Sequence, residues 1–333
     1  MSPTQPLSLE EAAALAGNLR RELHRVIVGQ DAVIAEILTA FLAGGHCLLR
    51  GVPGLAKTLL IKTLAQAVHL KFNRIQFTPD LMPSDIIGAE VIEEDRATGS
   101  RSIRFIPGPL FANLILADEI NRTPPKTQSA LLEAMQEYQV TVGGVRHALA
   151  RPLFVLATQN PIEQEGTYPL QEAQLDRFML NVVIDYPTAS DEREILAQTT
   201  TGVEPTVAAV ATGEEIERAR MLVRDIVAAD NAVDYATRLV RATRPGGPAS
   251  DGAPDFVKQW VRWGVGPRAG QALLLAGKAR AVLHGRPAVS LEDIRAVALP
   301  VMRHRLLVNF EAEADGVDAE TIVTRLIDAI PDR

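Results

Sequence analysis

Short apolar runs recur along the first half of the chain, with helical or loop-like segments between them. This rhythm is typical of a parallel sheet wrapped by helices. Ahead of the first run, Ser8 and Glu11 have the spacing of a capping box that opens an amphipathic helix, and a second helix is predicted over 31–42. The strand-like runs cover residues 46–49, 72–77, 113–117, 153–157 and 179–184.

The pattern changes near residue 190. Beyond it strand-like runs nearly disappear and helical periodicity dominates. A stretch rich in proline and glycine, 245–252, is predicted to be a loop inside this region. We therefore predict an α/β core over 1–189 and a smaller, all-α domain over 190–333. The predicted helices of the second domain include 214–228, 233–243, 267–284 and 291–306.

Composition narrows the classes of protein. The 333 residues carry a formal charge of −7, with a pI near 5.5, whereas a dedicated nucleic-acid-binding domain would be basic. The single cysteine, Cys47, excludes an internal disulfide and a cysteine-cluster metal site, and it fits a reducing compartment. Residues 1–15 lack the basic head of a secretory signal, and polar residues interrupt the apolar stretch 32–49. We expect a cytoplasmic protein without a membrane span.

A glycine-rich segment that ends in Lys-Thr follows the first strand-like run. Backbone N–H groups in such a loop, and the start of the next helix, hold phosphates. Lys57 is expected to reach the β- and γ-phosphates, and Thr58 to offer its hydroxyl to magnesium. Ala56 replaces the glycine of the general pattern, so its φ is either ordinary or tolerated with strain. The segment reads Gly51, Val52, Pro53, Gly54, Leu55, Ala56, Lys57, Thr58.

Polar residues also end two later strand-like runs. The run 113–117 leads into Asp118 and Glu119, which suit magnesium binding and activation of the attacking water, respectively. Taken alone, they could be acids at the solvated end of a strand. Asn160 follows the run 153–157, at the sheet edge where ligands bind, and its amide could orient the water. Its alternative role is to start a turn before proline.

In this order the motifs resemble those of the AAA+ ATPases, most closely the MoxR family in their helix-2-insert branch. The likeness covers most of the chain and includes the alanine of the phosphate loop. It implies ATP and Mg²⁺ as cofactors, ATP hydrolysis, an AAA+ core and a helical lid. Besides the phosphate loop, the matching motifs are Asp118-Glu119-Ile120-Asn121-Arg122, Ala157-Thr158-Gln159-Asn160-Pro161 and Leu175-Asp176-Arg177-Phe178.

The resemblance assigns roles to two arginines. Arg177 matches the finger that reaches a neighbouring subunit's γ-phosphate, and its alternative is a surface ion pair with Asp176. Arg268 resembles the sensor-2 arginine at the start of a lid helix, and its alternative is a solvent-facing first-turn residue. A cation there opposes the helix dipole unless an anion lies nearby. The resemblance also places the adenine pocket at Val28, Gly29 and Gln30.

Two further segments match projections of this branch. Residues 79–109 occupy the place of the helix-2 insertion, with strand-like pieces at 90–93 and 102–105. Residues 138–148 have the alternation and the Gly143-Gly144 turn of a hairpin, and they match the pre-sensor-1 hairpin. Such projections face a pore or a partner in ring ATPases. The alternative is a pair of ordinary surface hairpins.

The resemblance implies a homo-oligomeric ring, a hexamer, that remodels, matures or activates a protein client. MoxR proteins often work with a protein that bears a von Willebrand factor A domain, and this chain has no Asp-x-Ser-x-Ser metal-site motif, so that domain would be a separate partner. One alternative is a nucleic-acid motor, which the acidic balance and the few aromatic residues disfavour. Another is a scaffold gated by ATP with little turnover.

Overall fold

The computed structural model describes residues 5–52, 54–94, 101–160, 167–200, 202, 205–247 and 252–331. Its strands are β1 (Cys47–Arg50), β2 (Phe72–Gln76), β3 (Gly88–Glu94), β4 (Arg101–Pro107), β5 (Leu114–Asp118), β6 (Gln139–Val142), β7 (Val145–Ala148), β8 (Phe154–Gln159), β9 (Leu180–Val183), β10 (Val261–Trp263) and β11 (Leu307–Val308). Its helices are α1 (Leu9–His24), α2 (Asp31–Ala43), α3 (Lys57–Ala67), α4 (Pro83–Ile87), α5 (Pro125–Glu137), α6 (Glu172–Leu175), α7 (Ala189–Thr199), α8 (Gly213–Asp225), α9 (Asp230–Ala242), α10 (Asp255–Trp260), α11 (Pro267–Leu283), α12 (Leu291–Met302), α13 (Phe310–Ala314) and α14 (Ala319–Ala329).

The five predicted strand-like runs form one parallel sheet with the order β2-β5-β8-β1-β9. Because parallel strands point the same way, their carboxyl ends share one edge of the sheet. The phosphate loop follows β1, Asp118 ends β5, and Asn160 follows β8. Strand β8 lies between the other two, so the order places Asn160 between the phosphate loop and the acids.

Helices cover both faces of this sheet, as the near-continuous apolar strands predict. Along β5, Leu114 and Leu116 belong to one buried cluster, whereas Ile115 and Ala117 belong to the other. The first cluster includes residues of α1, α2 and α3, and the second includes residues of α5. The predicted α/β fold class is confirmed.

Beyond β9 the described chain is mainly helical, and its helices share the first of these clusters. Four of these helices contribute to the same buried cluster as the N-terminal helices, through Ile216, Leu239, Val282 and Ile322. The lid also contains the short antiparallel pair β10–β11, which is too short for a periodic signal in the sequence. Of the helices in the described ranges, none is both long enough and apolar enough to cross a membrane.

Two antiparallel hairpins stand apart from the central sheet. Strands β3 and β4 pair from Gly88 with Pro107 to Glu94 with Arg101, and residues 95–100 between them lie outside the described ranges. Strands β6 and β7 pair across Gly143 and Gly144, whose φ values of 57° and 81° suit a tight hairpin turn. These hairpins occupy the two segments that we predict to be projections.

Candidate functional site

The phosphate loop joins β1 to α3, which begins at Lys57. The N-cap residue, Ala56, provides no side-chain hydrogen bond to the first turn of α3. The N–H groups of that turn therefore remain available for an anion, and the helix dipole favours one there. Gly54, with φ of 87°, has open space where a Cβ would lie. Pro53 lies outside the described residues.

Ala56 adopts the left-handed conformation, with φ of 56° and ψ of 20°. Of the two possibilities left by the sequence, the structure therefore has the strained one. An L-residue in this conformation costs roughly 1–2 kcal/mol. The strain turns the backbone at the point where the loop enters α3.

Lys57 connects the loop to the acids of β5. Its side chain is half-buried, and its ammonium donates to the carbonyl of Gly51. Burial lowers the pKa of Lys57, while the charges of Asp118 and Glu119 act in the opposite direction. The lysine therefore lies within electrostatic reach of both carboxylates, as one nucleotide site requires.

Asp118 is held by two side chains that the sequence analysis did not single out. Arg74 on β2 donates to its Oδ2 from Nη2 at 2.6 Å and from Nε at 3.0 Å. The hydroxyl of Thr158 donates to its Oδ1 at 2.6 Å. Thr158 also accepts from the backbone N–H of Glu119 at 2.8 Å, so one hydroxyl on β8 orients both acidic residues.

Glu119 is held by two donors. Gln76 Nε2 donates to its Oε2 at 2.9 Å, and Arg122 Nη1 donates to the same oxygen at 3.0 Å. Gln76 lies opposite Asp118 in the β2–β5 register, which brings its side chain next to Glu119, the following residue. The sequence alone does not show this contact, because it depends on how the two strands pair. The carboxylate is therefore oriented before any substrate binds.

Asn160 is buried, with 6% exposure, one residue beyond β8. Strand order places it between the loop and the acids, where an amide could contact a water near the γ-phosphate. Pro161, which the alternative role as a turn starter involves, lies outside the described residues. The assignment of Asn160 stays a prediction.

The predicted adenine segment lies against the start of α7. Gly29 and Gln30 are left-handed, with φ values of 64° and 55°. A Cβ on Gly29 would lie 2.9 Å from the carboxyl group of Asp191, in the first turn of α7. The segment that includes Val28 is therefore close to the point where we predict the lid to begin.

Arg177 lies at the opposite edge of the sheet from the phosphate loop. It follows α6 and precedes β9, which runs parallel to β1. The start of β9 is thus separated from the level of the end of β1 by three residue steps along the strand, about 10 Å at the usual rise. The Arg177 side chain is exposed.

The charge pairing near Arg177 differs from the predicted alternative. In the described structure the carboxylate of Asp176 pairs with Arg305 at 2.8 Å and with Arg268 at 3.4 Å, and not with Arg177. Arg268 opens α11 and is about half exposed, so the anion that we expect near this first-turn cation is Asp176. Arg177, Arg268 and Arg305 line one cavity of about 370 Å³ between the core and the lid.

A phosphate loop, acids at the end of a parallel strand of the same sheet and a helical lid define an ATPase of the AAA class. In agreement, residues 46–180 match the ATPase family associated with various cellular activities (AAA), and residues 256–326 match the AAA lid domain. A crystal structure of a Cytophaga hutchinsonii protein, provisionally described as an ATPase, superimposes with a TM-score of 0.88 at 39% identity. The superposition covers 97% of this chain and 96% of that one.

Relatives with curated descriptions narrow the class. Chaperone MoxR1 of Mycobacterium tuberculosis is 42% identical over 98% of this chain and 85% of its own length. The uncharacterized protein YeaC of Bacillus subtilis is 40% identical over 96% of both chains. Protein MoxR of Paracoccus denitrificans is 33% identical over 92% of both. The chain belongs to the MoxR family of AAA+ ATPases.

Proposed function

We propose that this chain hydrolyses ATP with Mg²⁺ at a site that a second copy completes, and that the cycle remodels a client protein. One observation supports the shared site: Arg177 and Arg268, the two arginines that the family resemblance assigns to the γ-phosphate, lie toward the edge of the sheet opposite their own phosphate loop. One relative is named a chaperone, which supports protein remodelling as the task. The single cysteine supports the cytoplasm as the compartment.

The residues present fit a magnesium nucleotide. The open first turn of α3 and the Lys57 ammonium suit the phosphates, and the Thr58 hydroxyl and Asp118 carboxylate are oxygen ligands of the kind that Mg²⁺ takes. When bound, ATP would supply the phosphoryl group, and Mg²⁺ would neutralise part of the negative charge on the phosphates. Val28, Gly29 and Gln30 are proposed to contact the adenine.

Glu119 is the proposed general base. Its carboxylate accepts from Gln76 and Arg122, so it is oriented at the end of β5, where a general base could take a proton from water. Asn160 is proposed to hold that water in line. Glu119 follows β5 and Asn160 follows β8, and these two strands are paired neighbours in the sheet. Both residues are therefore at the same part of the sheet edge.

Arg177 and Arg268 are proposed to act on the nucleotide of the adjacent copy. An interface that joins one edge of a subunit to the opposite edge of the next is heterologous, and such an interface gives a ring when the rotation between copies closes. We propose six copies, as the family resemblance implies. A von Willebrand factor A-domain protein is the proposed partner, supplied by a separate chain.

The site assignment is tested by two variants with distinct losses. Lys57→Ala should lose ATP binding, whereas Glu119→Gln should bind ATP normally and hydrolyse it roughly 10²-fold or more slowly. Fluorescent-nucleotide titration and phosphate release measure the two effects. Normal hydrolysis by Glu119→Gln would remove the base assignment, and the absence of single turnover by the wild-type chain would favour the scaffold function.

The shared site is tested by mixing inactive variants. Lys57→Ala retains its arginines, and Arg177→Ala retains its phosphate loop. Mixed rings therefore contain some interfaces at which the intact phosphate loop of an Arg177→Ala subunit faces the intact arginines of a Lys57→Ala subunit. In a random equimolar ring this holds for about one interface in four. Recovery of phosphate release is expected. Confirmed mixed assemblies that stay inactive would contradict the role of Arg177 across the interface.

A further inference from the structure

A lid arginine, Arg305, holds the backbone on both sides of Arg177. Its side chain is 4% exposed. Its Nη2 donates to the carbonyl oxygens of Asp176 at 3.3 Å and Phe178 at 2.5 Å, and its Nη1 donates to that of Met179 at 3.1 Å. The peptide groups around the exposed Arg177 are therefore tied to the end of α12.

Arg305 also binds the carboxylate that contacts the second arginine. Its Nε donates to Asp176 Oδ1 at 2.8 Å, while Arg268 Nη1 donates to Asp176 Oδ2 at 3.4 Å. Each carboxylate oxygen therefore faces a different guanidinium. Asp176 pairs with Arg268 and directly precedes Arg177 in the chain. By binding this aspartate, Arg305 is therefore linked to both arginines of the proposed shared site.

A second lid side chain supports the same segment. His304 is buried, and its Nε2 donates to the carbonyl of Phe178 at 3.1 Å. Burial, and then the charge of Arg305, lowers the pKa of His304 well below its ordinary value. A neutral imidazole therefore makes this contact, and Arg305 provides the charge.

We propose that Arg305 is a positioning residue, which sets Arg177 and Arg268 for action on the neighbouring copy and makes their placement depend on the lid. This inference rests on the proposed function. The guanidinium is suited to the task because its planar fork can bind several oxygens in fixed directions, whereas a lysine ammonium acts as a point charge. A movement of α12 relative to β9 would carry the finger with it.

The first test is a comparison of two buried lid arginines. Arg305→Met should lower kcat about 10- to 100-fold, as expected when reacting groups are misplaced, with KM for ATP nearly unchanged because the phosphate loop is intact. Arg303→Met is the matched control. Arg303 is also buried, with 8% exposure, but it reaches Glu320 on α14. The control should retain kcat, and equal losses in both variants would overturn the inference.

The second test measures which variant restores ATPase activity when it is mixed with Arg305→Met in the same rings. Lys57→Ala should restore it, because that subunit contributes intact arginines, and Arg177→Ala should not. The opposite pattern, or recovery with neither partner, would overturn the positioning role. Mixed rings of Lys57→Ala and Arg177→Ala are measured in parallel. If these rings stay inactive, the result counts against the shared site itself, so failure of the proposed function is distinguished from failure of the positioning role.

A milder substitution keeps the inference testable if Arg305→Met does not fold. Arg305→Lys retains a cation beside Asp176 and loses the fork toward the carbonyl groups. Circular dichroism and sedimentation establish folding and assembly for each variant. Folded Arg305→Lys rings should show reduced kcat and the same complementation pattern, and wild-type kcat in such rings would overturn the inference.

Discussion

Ala56 illustrates how much one backbone angle matters at the residue scale. Its φ of 56° is one that glycine adopts at little cost and alanine does not. This chain has alanine at that position, so the fold tolerates the strain where the loop turns into α3. The site therefore has a local cost that a substitution can relieve.

Ala56→Gly should raise the free energy of unfolding by up to about 1 kcal/mol, because relief of the left-handed strain exceeds the extra entropy of glycine in the unfolded chain. Ala197→Gly is the control, since Ala197 is also exposed but lies in a right-handed helix. It should lose about 0.5–1 kcal/mol. Urea unfolding measures both, and a loss in both variants would show that the strain at Ala56 is absent.

His46 is a second residue whose environment has a measurable consequence. Its Nδ1 accepts from the N–H of Val155 at 3.1 Å, and its Nε2 donates to the carbonyl of Met135 at 3.2 Å. Burial lowers the pKa of His46 to about 4. The unfolded chain therefore takes up the proton first as the pH falls from about 6.5.

The contribution of His46 to stability, about 3 kcal/mol from its pKa difference, should be complete above pH 6.5 and disappear as the pH falls toward 4. Glu36, whose pKa is raised by burial to about 7, contributes the opposite trend, so the test compares variants. His46→Gln keeps an uncharged donor and acceptor. Its unfolding free energy should fall less steeply with acidification than that of the wild type, and parallel curves would refute the assignment.

At the scale of elements, the loop geometry depends on how closely two strands approach. A Cβ on Gly51 would lie 2.6 Å from the carbonyl oxygen of Ile184, which directly follows β9. Gly51 has an ordinary φ, so space rather than conformational freedom requires glycine here. The end of β1 is thus positioned by β9 before the loop begins.

Gly51→Ala should lower the free energy of unfolding by about 1–3 kcal/mol, as overpacking commonly does. It should also weaken ATP binding, because the loop would shift with the strand end. Gly17→Ala is the control, since Gly17 is exposed in α1 with no atom within 4 Å of an added Cβ, and it should gain about 1 kcal/mol. Wild-type stability and nucleotide affinity in Gly51→Ala would argue against the close approach.

At the scale of the whole molecule, the proposed site is divided between two sheet edges. A chain that needs arginines from a neighbour should show ATPase activity that depends on assembly. The lid contributes to this division, because Arg268 and Arg305 both contact Asp176, the residue before Arg177. Formation of the oligomer would then also complete the active site.

Phosphate release per chain should rise with protein concentration and level off once assembly is complete, as followed by sedimentation. Arg177→Ala should assemble over the same range with activity lower by about 10³-fold or more, as for arginine fingers in other nucleotide hydrolases. Constant activity per chain across the monomeric and assembled ranges would show that the site is complete within one subunit.

Much of the core could be predicted from local patterns. The apolar runs fell within one or two residues of the strands, because each strand is buried on both faces and so carries a continuous signal. The short helices α6, α10 and α13, and the pair β10–β11, were missed because a few residues carry no recognisable period. The proposed domain boundary and the adenine segment stay predictions.

The sequence by itself determined the parts whose chemistry is local. The phosphate loop with Lys57 and Thr58, and the acids that end β5, follow from contiguous residues and their nearest strands. Tertiary structure alone decided where Arg177 and Arg268 lie, and that Arg305, 129 positions from Asp176, holds that aspartate. Strand order and lid packing bring distant residues together through buried contacts, and no local pattern records which partners they bring.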